Sequence, residues 1–248
     1  MSVRDLDFFY AAEIDRGCSA VTVRRTHAML SAAFAQGRRW GICATIPTAL
    51  ASVPRKPYTP PLAPSVTQVR HLIAVAGGIN GDLADAIALL AATGMRRGEL
   101  CGLRWEDWNA SQRSLRIAVS VWQDGAARGV KAPKSGRGRT ILLDECSNAI
   151  LVARRDAGLA SPMPLMPDTL TAGFAKVARA AGVSGFHLHC LRHFAATTLI
   201  GAGLDVRSVA DRLGHADPAM TLRVYAAALP ERRSAAADIM GSALGVAS

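Results

Sequence analysis

The residues of this 248-residue sequence that could do chemistry are a set of cations placed around one phenol. In the string TGMRRGEL, Arg96 follows a glycine break at a point where we expect a helix to begin. The first turn of a helix has backbone N–H groups without internal partners, so an anion can bind there. Glu99, three residues further on, is most simply an intrahelical partner that orients Arg96. This string predicts an anion-binding position.

Three later positions add to the cationic set, and one adds the phenol. HLHCLRH contains His189 and Arg192, three positions apart on a predicted helix, and LGH ends the next helix and presents His215. Tyr225 follows ten residues later, on a helix that Pro218 is predicted to open. Singly, these strings have simpler interpretations, such as a capping pair or a packed tyrosine. A zinc site is disfavoured because adjacent helical positions point to different sides.

The string RGVKAPKSGRGR, residues 128–139, has five basic residues and no acidic one. We predict that it forms a hairpin, which would present Lys131, Lys134, Arg137 and Arg139 together. A basic hairpin is most often a solvated loop, and non-specific phosphate contact is the next interpretation.

Motifs for several common reactions are missing from the sequence. It has no GxxxxGK[ST] string, no HExxH string and no cluster of carboxylates suited to two metal ions, and GGINGD lacks the preceding strand that a dinucleotide loop needs. We therefore expect chemistry without ATP, a catalytic metal or any other cofactor.

The overall charge favours a polyanionic partner. Lys and Arg number 29 against 19 Asp and Glu, a net charge of +10, which suits nucleic acid or an anionic membrane surface. The longest apolar run, 86–95, is far below the ~18–20 residues that span a bilayer. Five scattered cysteines without a CxxC pair are typical of a reducing cytosol, and Asp5 and Asp7 argue against a signal peptide.

The elements that must position these residues fall into two predicted parts. Residues 1–53 indicate helices, one over 5–16 and one capped by Ser19. Residues 54–64 hold five prolines and predict a semi-rigid linker. Residues 65–248 follow, opening on a capping box at Ser65.

Within the second part, we predict helices, then a small antiparallel sheet, then helices. Alternating apolar residues over 115–121 predict one half-buried strand, and two more strands are predicted to flank the basic string, around 130 and over 140–143. Asp168 and Asp205 are predicted to precede helices.

The order of these strings resembles the tyrosine recombinase (phage integrase) family. TGMRRGELCGLRW resembles its first arginine box, APKSGRGRTILL its lysine hairpin, HLHCLRHFAATTL its second arginine box, and LGHADPAMTLRVYA its histidine-to-tyrosine box. The resemblance covers roughly residues 65–229, with a weaker match of 1–53 to a helical core-binding domain. It implies a mainly α fold with a small antiparallel β-sheet, an α+β catalytic domain preceded by a small all-α domain.

The resemblance also implies a reaction. Tyr225 would attack a phosphodiester to leave a 3′-phosphotyrosine, and Arg96 and Arg192 would grip the non-bridging oxygens. Lys134 would protonate the departing 5′-oxygen, with Lys131 as the alternative lysine. Of the histidines, the one in HxxR (His189) would hydrogen-bond the phosphate or take the tyrosine proton, and the one in LGH (His215) would donate to a phosphate oxygen.

The implied partners are double-stranded DNA carrying attachment sites, further copies of the chain in a tetramer on paired sites, and accessory DNA-bending proteins in the cytoplasm. Candidate DNA contacts are Arg24, Arg25, Arg38, Arg39, Lys131, Arg137 and Arg139. Two other interpretations remain open. One is a type IB topoisomerase, which uses the same residues to relax supercoils, and the other is a decayed integrase that only binds DNA. Residues 1–53 are short for a core-binding domain, and Cys190 stands where many relatives have an acidic residue.

Overall fold

The computed structural model describes residues 1–57, 62–133, 136, 138–183, 185–215 and 245. It is mainly helical with a small amount of antiparallel sheet, as the sequence predicts. The chain divides into two compact units, Met1–Thr59 and Pro60–Ser248. Lys134, Arg137, Tyr225 and the helix predicted to open at Pro218 lie outside the described residues. No described helix is long and apolar enough to cross a membrane.

The first unit contains two α-helices in its described residues, α1 (Val3–Asp15) and α2 (Ala20–Arg39). Both helices begin at a serine N-cap, and Ser19 is the one that the sequence predicts. The side chains of Ser2 and Ser19 each accept a hydrogen bond from a backbone N–H of the first turn. The buried core is small and consists of Leu6, Tyr10 and Val23.

The second unit holds a larger core that is formed mainly by helices. Ser65 makes the predicted capping box with Gln68, and Asp205 caps the last described helix as predicted. Asp168 lies within the first turn of its helix, which begins one residue earlier at Pro167. The helices are α3 (Val66–Ile79), α4 (Gly81–Thr93), α5 (Arg97–Cys101), α6 (Glu145–Asp156), α7 (Pro167–Ala180), α8 (Leu188–Gly201) and α9 (Val206–Leu213).

Five short strands form two antiparallel sheets in the described residues. Their bounds are β1 (Trp108–Asn109), β2 (Ser114–Ile117), β3 (Ser120–Asp124), β4 (Ala127–Lys131) and β5 (Arg139–Leu142). One sheet has the order β1-β2-β5, and the other pairs β3 with β4.

Two strand predictions were wrong in detail. The single strand expected over 115–121 is two strands, because β2 pairs with β5 whereas β3 leaves that sheet to pair with β4 and pack against α5. Gly98 permits that packing, since a Cβ there would collide with the Val121 carbonyl. The basic string is also not a hairpin of its flanking strands, because β4 and β5 belong to different sheets.

Gly94 ends α4 at the point where three helices meet. Its φ of +65° lies in the left-handed region, which glycine adopts without steric cost. A Cβ at this position would collide with Leu213 of α9 and lie 3.1 Å from the Cβ of Ala195 of α8. The glycine break in TGMRRGEL therefore lets α4, α8 and α9 converge beside Arg96.

Candidate active site

Glu99 forms ion pairs with two arginines of the second unit, Arg96 and Arg139. It is placed by the short helix α5, and its side chain is fully buried. Arg96 Nη1 donates to its Oε1 at 2.8 Å, while Arg139 donates from Nη2 to Oε2 at 2.8 Å and from Nη1 to Oε1 at 3.2 Å. Burial would raise the pKa of Glu99, but hydrogen bonds and charges from Arg139 and Arg96 outweigh it and lower the pKa below its usual value. Glu99 is an ionised carboxylate shared by two guanidinium groups.

The Glu99 carboxylate folds back onto the start of its own helix, α5. The backbone N–H of Arg96 donates to Glu99 Oε2 at 2.9 Å, so one of the N–H groups predicted to meet an external anion serves the carboxylate of Glu99. The guanidinium of Arg96 also donates from Nη2 to the Gly214 carbonyl at 3.1 Å. At 23% exposure its side chain still reaches the surface, so the guanidinium is accessible to an outside anion.

Arg192 projects from α8 into the same region and is only 2% exposed. Its Nη1 donates to the Gly94 carbonyl at 2.7 Å, and its Nε donates to His215 Nε2 at 3.3 Å. Its Nη2 is buried with no hydrogen-bond partner among the described residues. Burial and the neighbouring charge of Arg96 lower the pKa of Arg192 to about 9, against the opposing effect of Glu99. The group is therefore still cationic at neutral pH, with one donor left unsatisfied.

The two predicted histidines differ in position. His215 follows Gly214, whose φ of +69° ends α9, and is half-buried. Burial, together with Arg192 and Arg96, lowers the pKa of His215 to about 4. Since its Nε2 accepts from Arg192, Nδ1 is the donor nitrogen of the neutral ring.

His189 stands in the first turn of α8 and keeps contact with solvent. Its ring centroid is 4.8 Å from that of His193 in an edge-on arrangement. Partial burial, followed by the charges of His193 and Arg192, lowers the pKa of His189 to about 4. Both predicted histidines are therefore neutral at pH 7.

A cavity of about 520 Å³ opens beside this cluster. Arg96 lines it from the N-cap position before α5, and Lys131 lines it from the end of β4. Its other lining residues are Arg97, Gly98, Ser120, Val121, Trp122, Gln123, Ala132 and Pro167. Two cations of the predicted set thus face one cavity. No group of three His, Cys, Asp or Glu side chains suited to a metal occurs in the described part of the chain.

The structure brings several of the predicted residues of the second unit together. Arg96, Arg192 and His215 meet, with His189 close enough for the charge of Arg96 to lower its pKa. The arginines predicted to contact DNA from the first unit all lie exposed on α2, and these are Arg24, Arg25, Arg38 and Arg39.

Sequence reasoning missed the pairing of Arg139 with Glu99. Arg139 is two residues from buried Ile141 on β5, and side chains two apart on a strand share a face. Arg139 also lies opposite buried Ile117 of β2. That alternation is the signal that could have placed Arg139 inward rather than toward a ligand.

Comparison with known proteins shows the family to which the chain belongs. The family model described as "Phage integrase family" matches residues 66–232. Tyrosine recombinase XerC of Mycobacterium bovis (strain BCG / Pasteur 1173P2) is 31% identical over 225 residues, 85% of this chain and 74% of the relative. The protein of the same name from Mycobacterium leprae is 31% identical over 235 residues, 89% and 77% of the two chains.

Solved structures show the same fold. The Tn1549 transposon integrase in complex with transposon right end DNA superposes with a TM-score of 0.83 at 21% identity, covering 98% of this chain and 86% of that one. A lambda integrase dimer bound to a COC′ core site gives 0.68 at 17% identity, covering 90% and 64%. With most of its length matched by the family model and by these relatives, the chain belongs to the phage integrase family of tyrosine recombinases.

Proposed function

We propose that the chain is a site-specific DNA recombinase that cuts and rejoins DNA through a 3′-phosphotyrosine, without ATP or metal. The observation that carries the proposal is the convergence of Arg96, Arg192 and His215, with Arg192 Nη2 buried and unpartnered among the described residues. A buried donor without a partner costs about 1–3 kcal/mol, and more if charged. A phosphate oxygen would satisfy it.

The charge balance of the cluster also suits a phosphate. Arg96, Arg139 and Arg192 contribute three positive charges against the single negative charge of Glu99. Such preorganised donors act most strongly where charge develops in a transition state. The surplus would be met by the phosphodiester, which gains negative charge on its non-bridging oxygens as a nucleophile attacks.

In the proposed reaction, the Oη of Tyr225 attacks phosphorus and the bond from phosphorus to the 5′-oxygen breaks. The tyrosine proton passes to a base, for which neutral His189 is our candidate, and the departing 5′-oxygen takes a proton from Lys134. The 3′-phosphotyrosine keeps the energy of the broken bond, so a 5′-hydroxyl can rejoin the strand by the reverse attack. His215 would donate to a phosphate oxygen from Nδ1.

DNA would be contacted through phosphates by both predicted domains, the core-binding residues 1–53 and the catalytic residues 65–248. On α2, the pairs Arg24/Arg25 and Arg38/Arg39 are fourteen positions apart, which returns to nearly the same helix face about 21 Å further along. With Lys131 and Arg137, these side chains predict binding that weakens steeply with salt. Solved relatives include a lambda integrase tetramer bound to a Holliday junction, and we propose a tetramer on paired sites here.

Covalent trapping tests the proposal. Short duplexes cut from host DNA and nicked at random would be incubated with wild type and with Tyr225→Phe, and adducts resistant to denaturant would be recovered and sequenced. A nick beside the cleavage point lets the freed strand diffuse away and traps the intermediate. We expect adducts with wild type alone, converging on one sequence.

Other outcomes decide between the alternatives. Adducts spread over unrelated sequences would support a topoisomerase. Salt-sensitive binding without an adduct from either protein would support a chain that only binds DNA. In the same assay Lys134→Ala should cut at least ~10²-fold more slowly and recover on DNA with a sulfur at the 5′ bridging position, because a thiolate leaves without protonation. Recovery of Lys131→Ala instead would reassign the general acid.

A further inference from the structure

We propose that Arg139 is a positioning residue that fixes the last turn of α9 against Arg96, so that Arg96 and His215 are presented together. The inference rests on the proposed function and deepens it, since it assigns a role to a cation whose burial keeps it from contacting a duplex. The side chain of Arg139 is only 10% exposed, too little for a duplex contact.

Three donor atoms of Arg139 are committed within the protein. Nη1 and Nη2 form a fork on the Glu99 carboxylate at 3.2 and 2.8 Å, and Nε donates to the Arg212 carbonyl at 2.8 Å. Forked pairs of this kind fix orientation as well as distance. Arg139 therefore joins the centre of the charged cluster directly to α9.

The end of α9 needs such donors. The last carbonyls of a helix have no intrahelical partner, and that end carries a partial negative charge. Arg139 donates to the Arg212 carbonyl and Arg96 donates to the Gly214 carbonyl, from two guanidinium groups that share Glu99. The turn leading to His215 is thus held by the same ionic unit that orients Arg96.

Gly214 shows how closely Arg139 approaches this turn. A Cβ on Gly214 would lie 2.6 Å from Arg139 Nη1. Arg212 of α9 makes a hydrogen bond in the opposite direction, because its Nη1 donates to the Leu142 carbonyl of β5 at 3.0 Å. Strand β5 and helix α9 are tied twice, once through each arginine. Lysine could not replace Arg139, because a single ammonium lacks the planar fork and the separate Nε donor.

Kinetics on a trapped duplex recovered with wild type give the first test. Arg139→Met keeps most of the apolar stem and removes the fork, and Arg139→Lys restores only the charge. At saturating DNA we expect cleavage to slow by ~10–100-fold in Arg139→Met, as expected for a misplacement near 1 Å, while Kd changes less than ~3-fold. Arg139→Lys should recover only a small part of the rate. Arg116→Met, on the neighbouring strand and 67% exposed at its side chain, is the matched control and should cleave like wild type.

Hydrogen exchange supplies a test that needs no DNA. In Arg139→Met the amides of residues 206–215 should exchange faster, with those of α6 unchanged, because the lost hydrogen bonds go to the Arg212 carbonyl and to Glu99 and none of them goes to α6. Faster exchange throughout the second unit together with a lower Tm would overturn the inference, since Arg139 would then be a general stabilising residue.

The remaining outcomes are equally decisive. A raised Kd with a shallower salt dependence and an unchanged cleavage rate would overturn the inference and make Arg139 a DNA contact. Full activity of Arg139→Lys would also overturn it, because charge alone would then suffice. If wild type forms no adduct with any duplex, the proposed function fails, whereas exchange over 206–215 still tests whether Arg139 holds the turn.

Discussion

Two clusters in the second unit combine arginine and carboxylate side chains, but their net charges have opposite signs. In one, buried Glu99 is shared by Arg96 and Arg139. In the other, Arg154 of α6 is shared by Asp82 and Asp85 of α4, at 2.8 and 2.7 Å, and also donates from Nε to the Pro162 carbonyl. The first has a surplus of positive charge, and the second has a surplus of negative charge.

The two clusters also differ in how much solvent reaches their charged side chains. Asp82 and Asp85 are 42% and 33% exposed, so water screens their surplus charge, and the cluster links α4 to α6. At the Glu99 cluster the added cation, Arg192, is buried beside Arg96, and its Nη2 has neither a hydrogen bond nor an ion pair among the described residues. Arg154 Nη2 also makes no hydrogen bond there, but it lies 2.8 Å from Asp82 Oδ1. Buried surplus charge costs stability and is retained where a ligand completes it. A buried and unbalanced charge therefore indicates a binding site better than the number of ion pairs does.

The largest expected effect follows from removing the unsatisfied cation. Arg192→Gln keeps a polar side chain near the Gly94 carbonyl but removes the charge and the buried Nη2 donor. We expect strand cleavage to fall by ~10²–10³-fold at saturating DNA, the usual loss for one transition-state donor. The free energy of unfolding should change by less than about 1 kcal/mol, because the buried charge is costly in the free protein. Single-turnover trapping and urea unfolding measure the two quantities. A large loss of stability with normal cleavage would reverse our assignment of this cluster.

A smaller effect is expected from acid. The pKa of His215 in the folded protein is about 4, below the value near 6.5 in the unfolded chain. Between these values the unfolded state binds the extra proton, so stability is complete above pH 6.5 and is lost as pH falls toward 4. The loss should reach up to about 3 kcal/mol. His189, which stays in contact with solvent, should add less.

Urea unfolding at several pH values in the upper half of this window checks the acid effect, because the ordinary pKa values of Asp144, Asp205 and Glu99 are 3.8, 3.8 and 4.5, near its lower end, and folding lowers them further. His193, whose pKa burial also lowers from 6.5, contributes in the same direction as His215. His215→Gln is the control and should show a flatter dependence on pH. Parallel profiles for the two proteins would show that His215 is not the titrating group.

The smallest effect is expected at the second cluster. Arg154→Met leaves two partly exposed aspartates side by side and the Pro162 carbonyl without its donor. We expect unfolding to become easier by about 1–3 kcal/mol, with cleavage at saturating DNA within twofold of wild type at temperatures well below the Tm. A selective loss of cleavage with unchanged stability would mean that the two clusters do not differ as proposed.

The sequence predicted the local structure well where local signals are strong. Ser19, Ser65 and Asp205 cap helices as expected, because capping depends on a side chain and backbone groups within three residues. The strand over 115–121 was predicted less well. Alternation reports which face is buried, and it continues across the point where the chain passes from one sheet to the other.

By itself, the sequence determined the family, the mainly helical class and the identity of the candidate residues, because these depend on residue types in a fixed order. Only the tertiary structure decided which residues meet. Arg96 and Gly214 are 118 positions apart, and Arg139 and Glu99 are 40 apart, so no local pattern pairs them. Arg139 illustrates the physical reason: a cation in a basic string is the same residue whether water or a buried carboxylate surrounds it, and only folding chooses between them.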